Sequence, residues 1–413
     1  MVLLKVEATV GKRAIVLVLD GFGMGAMEDT KIVRPQDRRA DTCGSLFAAT
    51  RGHRLETLER LGLVNAYGKP IPLHEVSPEA IFGKMKLTHF GADTFFGHQE
   101  IMGTKPKEPV RQIFEESYES VASHLEKHGY SVKTIRMTHG PVLLVNNRIL
   151  VGDNLETDPG QAFNITTSFD FTAFEELVRV GELVRAVVTV PRVIAFGGKQ
   201  VNLQAILSAM EERDTGAVGI NAPRAGVYQH DYRVLHMGYG VDASVQAPWI
   251  VGEAGMAVCL IGKVADIVEN PFGTSLPAVK TEEVMDKVHQ ALAQMTEGFI
   301  CANVQETDLA GHAENPELYM KKLELVDASL KELLKKLTDE DLLMVIADHG
   351  NDPCIGHAFH TREHVPLLIY KRGARGCALG IRQTLSDVGQ TVCDFLGTKR
   401  KPENGTSFLG ELL

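Results

Sequence analysis

Ala14-Ile-Val-Leu-Val-Leu19 is an unbroken aliphatic run that stops at Asp20-Gly-Phe-Gly-Met-Gly25. Apolar side chains at consecutive positions, rather than alternate ones, predict a strand covered on both faces, here opening into a glycine loop. The same grammar returns twice: Phe299-Ile-Cys-Ala-Asn-Val304 precedes Gln305-Glu-Thr-Asp308, and Leu342-Leu-Met-Val-Ile-Ala347 precedes Asp348-His-Gly-Asn351. Three predicted strands therefore carry carboxylates at their C-terminal ends, where open α/β sheets hold their ligands. Apolar residues recur at three and four over Thr281–Met295, Pro316–Leu337 and Ile381–Leu396, which predicts helices. Strands alternating with helices predict a mostly parallel sheet with helices on both faces.

The middle of the chain has weaker runs, at Thr134–Met137, Pro141–Val145 and Val187–Ala195, around one clear helix at Phe171–Val187. A chain of 413 residues exceeds what one hydrophobic core of roughly 250–300 residues holds. We therefore expect a discontinuous core over 1–105 and 237–413, interrupted by a smaller α/β domain over 106–236.

Composition narrows the class of partner. A net charge of -10 argues against a surface that coats nucleic acid, and no apolar run is long enough to span a bilayer. Six scattered cysteines without a CxxC pair point to a reducing, cytoplasmic setting. Because Asp20 follows Leu19 directly, the first apolar run reads as a strand and not as a signal peptide.

The densest chemistry lies in Asp348-His-Gly-Asn-Asp352 and Gly356-His-Ala-Phe-His-Thr-Arg-Glu-His364. Carboxylates and neutral imidazoles are the donors that borderline divalent cations take. Asp308 and His312, four residues apart, share one face of a helical turn or tight loop. Taken singly, such an aspartate more often caps a turn; three on one sheet edge with histidines beside them suggest a metal pocket. A further segment, Gly91-Ala-Asp-Thr-Phe-Phe-Gly-His-Gln-Glu-Ile-Met-Gly103, offers Thr94, whose hydroxyl becomes a competent nucleophile beside a divalent cation.

Together, Val18–Gly25, Asp93–Gly103, Asp308 with His312, Asp348–Asp352 and His360-Thr-Arg-Glu-His-Val-Pro366 resemble phosphopentomutase, of the alkaline phosphatase superfamily. The resemblance runs to Asn404–Phe408 and includes Pro191–Ala195, His230–Tyr232 and Gly262–Ile267. It implies an alkaline-phosphatase-like core with an inserted cap and two divalent metal ions. Manganese is usual; zinc and magnesium suit the same donors. One ion would be held by Asp308, His312 and His360, the other by Asp20, Asp348 and His349, with Thr94 bridging toward the second and carrying the phosphoryl group. The substrate would be a small sugar phosphate such as ribose 1-phosphate or ribose 5-phosphate, with a sugar bisphosphate as activator, and Arg192, Lys263 and Arg224 as cations for the non-reacting phosphate.

Several positions depart from that family. Gln99 stands where it commonly has Trp, and Gln229 where Arg precedes His-Asp-Tyr. The Asp308–His312 spacing is that of cofactor-independent phosphoglycerate mutase, and Leu155–Asn164, with Asp158, matches the pentose-holding segment poorly. The alternative function is a metal-dependent phosphohydrolase acting on a related phosphorylated or phosphonate substrate.

Overall fold

A computed structural model describes residues 11–156 and 160–412; Asp158 lies outside them. The chain forms two compact units, one of residues up to Pro106 and from Asp242 onward, the other of Lys107–Val241.

The larger unit is built on an eight-stranded sheet in the order Thr274–Leu276, Ala257–Gly262, Gly298–Val304, Arg13–Leu19, Asp341–Ile346, Val365–Tyr370, Ile81–Met85, Cys377–Arg382. The first five run parallel, and Val365–Tyr370 alone opposes its neighbours. Every residue of Arg13–Leu19, Gly298–Val304 and Asp341–Ile346 is buried. Burial without alternation requires cover on both faces. Two sets of helices provide it: Thr281–Gln294 packs with Pro316–Lys336, and Ala247–Glu253 with Ser386–Phe395. At the N-terminal edge of the sheet, the Arg13 guanidinium grips Asp341 through Nε–Oδ1 (2.7 Å) and Nη2–Oδ2 (2.8 Å).

The final predicted helix begins later than its periodicity suggested. Ile381 belongs to the edge strand Cys377–Arg382, which pairs with Ile81–Met85 across a register shift between Ala378 and Ile381. Gly380, at φ +64, turns the backbone there, and the helix starts at Ser386. Chain pairing decided the matter over local pattern.

The smaller unit is a sheet in the order Arg233–Gly238, Arg192–Gly198, Ala162–Ser168, Ile149–Asp153, Pro141–Val145, Val132–Arg136, with a short hairpin of Met210–Glu212 and Val218–Ile220 beside it. Alternate residues feed two cores. Leu143, Val145 and Phe163 pack with Leu177, Val180 and Val184 of the helix Phe174–Val187, while Val142, Leu144 and Phe196 pack with Ile206 and Ala222. The expected strand at Val187–Ala195 lies at Arg192–Gly198, because Val187 still belongs to the helix. No helix among the described residues is long and apolar enough to cross a membrane.

One buried carboxylate orients the helix Thr94–Ile101. Glu100 accepts hydrogen bonds from His89 Nδ1 (2.7 Å), the His89 amide (2.9 Å), Thr88 Oγ1 (2.5 Å), Thr384 Oγ1 (2.7 Å) and the Leu385 amide (2.9 Å). Burial alone would raise its pKa, but these donors, His89 foremost, carry it from 4.5 down to about 2. A depressed carboxyl stabilises the fold above its unfolded pKa and loses that contribution as pH falls toward the folded one; a fall from 4.5 to about 2 corresponds to roughly 3 kcal/mol. Glu100→Gln should therefore lower the free energy of unfolding at pH 7 by about 2–4 kcal/mol, read by urea denaturation, with the difference from the parent shrinking as pH falls from about 4.5 toward 2.

Candidate metal centre and nucleophile

Each central strand ends in a residue aimed at one place. Asp20 follows Arg13–Leu19 and is fully buried; Gly21 turns the chain at φ +75. A Cβ at Gly21 would lie 3.0 Å from Asn351 Cβ and 3.2 Å from Asp308 Oδ1, so the bare backbone lets the carboxylates converge. Gly298–Val304 leads into the helix Glu306–His312, whose first turn carries Asp308 and whose last residue is His312. Asp348 and His349 follow Asp341–Ile346, and an antiparallel bridge between Gly350 and Thr361 brings His360 alongside.

Two groups of donors result: Asp20, Asp348 and His349, and Asp308, His349 and His360. His349 is thus within reach of both, its ring stacked on that of His360 with centroids 3.9 Å apart. His312 joins the second group, with Nε2 3.3 Å from Asp308 Oδ2 and 3.0 Å from His360 Nε2. All six residues expected to bind metal therefore converge.

The imidazoles are committed in one sense. Nδ1 of His349 donates to the Gly350 carbonyl (3.0 Å), that of His360 to Ala92 (2.9 Å) and that of His312 to Ala358 (2.7 Å). Each Nε2 lone pair is left facing the carboxylates, the arrangement in which metal-ligating histidines are ordinarily held; the tautomers are assigned from these partners. Asp20 Oδ1 and His349 Nε2 are buried without a hydrogen-bond partner. Buried acceptors facing acceptors call for a cation, so this donor set fits divalent metal ions.

Charges packed this closely shift one another's titration. Burial, then the Asp348 charge, raises Asp20 to about 6. Burial works the same way on Asp308, yet its hydrogen bonds with His312 and His360 hold it well below the carboxylate range; His349 and His98 do this for Asp348. Burial opposes the charge on His349, but Asp348 carries it up to about 9.

Thr94 is the first residue of its helix, capped by the Asp93 side chain accepting from the Phe96 amide (3.0 Å). Its hydroxyl donates to Asp348 Oδ2 at 2.7 Å, which puts it directly on the first donor group. Gly97 allows this approach, since a Cβ there would lie 2.9 Å from the Asp348 carbonyl oxygen.

Lys263 belongs to the larger unit, and its ammonium lies 2.8 Å from Asp20 Oδ2 and 3.5 Å from Asp308 Oδ2, among the carboxylates. Burial would lower its pKa, but those charges raise it. Arg192 opens the strand Arg192–Gly198 of the smaller unit. Arg224 in that unit bonds Glu211 Oε1 (2.6 Å) and the Ser208 carbonyl.

Several residues here carry no function in the sequence reading. His98 Nδ1 lies 2.8 Å from the Thr94 carbonyl and 3.3 Å from Asp348 Oδ2, and Asn303 Nδ2 donates to Asp20 Oδ2 (3.0 Å) and to His98 Nε2 (2.9 Å). Asn303 is the one amide in an otherwise apolar strand, and His98 is one helical turn from Thr94; both signals were present. Asn351 Nδ2 donates to Asp308 Oδ1 (2.8 Å). Gln99, in place of the resembled family's Trp, is buried: its Nε2 donates to the Ile267 carbonyl (2.7 Å) and its Oε1 accepts from Gln246 (2.6 Å), tying the Thr94 helix to the turn after Lys263.

Residues 12–400 match the model of the Metalloenzyme superfamily. The chain is 32% identical to phosphopentomutase of Desulfitobacterium hafniense, covering 97% of this chain and 100% of that one. It is 31% identical to phosphopentomutase of Kosmotoga olearia, with the same coverage. The solved PH0037 protein from Pyrococcus horikoshii covers 96% of this chain and 99% of its own, at 14% identity and a TM-score of 0.45. A match of this extent, on a chain whose strand ends assemble such donors, makes the protein a metal-dependent phosphomutase, an isomerase belonging to the phosphopentomutase family of the metalloenzyme superfamily.

Proposed function

We propose that the enzyme moves a phosphoryl group between positions of a pentose phosphate, interconverting ribose 1-phosphate and ribose 5-phosphate or their deoxy counterparts through phospho-Thr94. The observation that carries this reading is the hydrogen bond from the Thr94 hydroxyl to Asp348 at the edge of the donor cluster. Asp20, Asp348 and His349 would hold one divalent ion, manganese by family resemblance, and Asp308, His312 and His360 the other. When bound, such ions neutralise phosphoryl oxygens and lower the pKa of a coordinated hydroxyl.

Phospho-Thr94 gives its phosphoryl group to the free hydroxyl of the substrate: the Thr94 Oγ–P bond breaks, a P–O bond to the sugar forms, and the sugar hydroxyl's proton ends on Thr94 Oγ. The resulting bisphosphate turns over, the P–O bond at its other phosphate breaks as Thr94 Oγ takes that phosphoryl group, and the Thr94 proton passes to the sugar oxygen released. A sugar bisphosphate would load Thr94 at the outset. Unphosphorylated Thr94 donates a hydrogen bond to Asp348, which orients its hydroxyl. Lys263, beside Asp20 and Asp308, is the core's candidate for a substrate phosphate, and Arg192 and Arg224 are assigned to phosphate binding on the resemblance.

The test is to incubate the manganese-loaded enzyme with ribose 1-phosphate and a catalytic amount of ribose or glucose bisphosphate, following both isomers and free phosphate by NMR. Formation of ribose 5-phosphate supports the proposal. Steady release of inorganic phosphate without isomer would establish the hydrolase reading instead, and neither product across a range of metals would exclude the pentose substrate. Thr94→Ala should lower transfer by at least about 10³-fold while retaining bound manganese, since the hydroxyl is the nucleophile and the other donors remain. Mass spectrometry of the parent should find phosphate on the peptide containing Thr94, and appreciable activity in the Ala variant would remove Thr94 from the mechanism.

A further inference from the structure

Glu363 is fully buried, belongs to neither donor group, and has both oxygens filled by donors from three separate segments. Oε2 accepts from the Gly25 amide (2.9 Å) and the Thr42 amide (2.9 Å). Oε1 accepts from Thr42 Oγ1 (2.6 Å) and Thr361 Oγ1 (2.7 Å). Each threonine hydroxyl donates to Glu363 and also accepts a backbone amide, Asn351 N at Thr42 (3.2 Å) and Asp352 N at Thr361 (3.3 Å). Four donors and no acceptor suit the carboxylate form of Glu363.

Two of the three segments carry donors of the cluster, and the third, at Thr42, bonds to one that does. Gly25 ends the loop begun by Asp20, and its carbonyl accepts from the His364 amide (2.9 Å). Thr361 follows His360 and forms the two-bond bridge with Gly350, beside His349 (2.9 and 2.7 Å). Thr42 passes the constraint through the Asn351 amide, whose residue's Nδ2 holds Asp308 Oδ1 at 2.8 Å. Burial raises Glu363 to about 7 even against its four hydrogen bonds, so a charge at this point is costly, and no counter-cation is among the contacts described.

We propose that Glu363 is a positioning residue that sets the spacing of both metal groups, clamping the Asp20 loop, the His349–Asp352 turn and the His360 loop to one another through Gly25, Thr42 and Thr361. The proposal rests on the metal assignment above. Loss of one hydrogen-bonded support behind metal ligands costs about 10–100-fold in metal affinity; here one group supports several ligands at once.

The experiment measures manganese affinity of the folded, metal-stripped enzyme by competition with a fluorescent chelator, with circular dichroism and thermal unfolding in EDTA on every variant. Glu363→Gln and Thr361→Val should each weaken manganese binding by at least about 10-fold, while Thr361→Ser, which keeps the hydroxyl, should stay close to the parent. Asp327→Asn is the control for lost stability without lost positioning: Asp327 accepts from the Thr57 and Leu58 amides at 3.1 and 2.7 Å, so the variant should melt earlier and bind manganese normally. Should Glu363→Gln fail to fold, the Thr361 pair decides. Parental affinity in Thr361→Val, or a fall in Asp327→Asn equal to that in the Glu363 variant, would overturn the positioning role while leaving the metal assignment standing; a parent that binds no manganese would overturn both.

Discussion

Asp20, Asp308 and Asp348 are buried within a few ångströms of one another, and three carboxylates so placed repel each other in a medium that screens them poorly. A sheet has no structural reason to end its central strands in such a cluster. The arrangement persists because cations offset the repulsion: the Lys263 ammonium within the chain, and divalent ions for which the Nε2 lone pairs are already turned inward. Much of the surrounding architecture follows from keeping these charges converged, from glycine at 21 and 97, where side chains would collide, to the amides of Asn303 and Asn351 that fix individual carboxylate oxygens.

Two further buried carboxylates act behind the cluster. Glu100 holds the helix that presents Thr94, and Glu363 joins the loops that present the metal donors. Each bonds to hydroxyls and amides from parts of the chain far apart in sequence, in some cases more than 300 residues. Such centres resist small adjustments, since displacing one loop strands a buried donor elsewhere. Phosphoryl transfer depends on placing the attacking and leaving oxygens accurately, and rigid support of that kind suits it.

The strand ends were legible because two signals coincide there: an unbroken aliphatic run requires burial on both faces, and a carboxylate directly after it stands at the sheet's ligand-binding edge. Asp20 and Asp348 were accessible by that route, Asp308 through its spacing from His312 just beyond a strand, while the choice of His360 among the neighbouring histidines came from the family resemblance. Cys377–Arg382 was not, because its strand character comes from pairing with Ile81–Met85 and not from its own pattern. Glu363 lay within a quoted motif, yet its role depends on Gly25 and Thr42, more than 300 residues away, which no local periodicity reports. Gln99 shows the same limit from the other side: the departure was visible, but its bonds to Ile267 and Gln246 required the fold.

The strand-end carboxylates and the inward-facing imidazoles should form one bimetallic pocket beside Thr94. A crystal of the manganese-loaded enzyme, measured at the manganese absorption edge, would show it. Two anomalous peaks a few ångströms apart are expected, one contacting Asp20, Asp348 and His349 and the other Asp308, His312 and His360, with Thr94 Oγ nearest the first. A single peak, or peaks bound by other residues while these side chains stay paired among themselves, would contradict it.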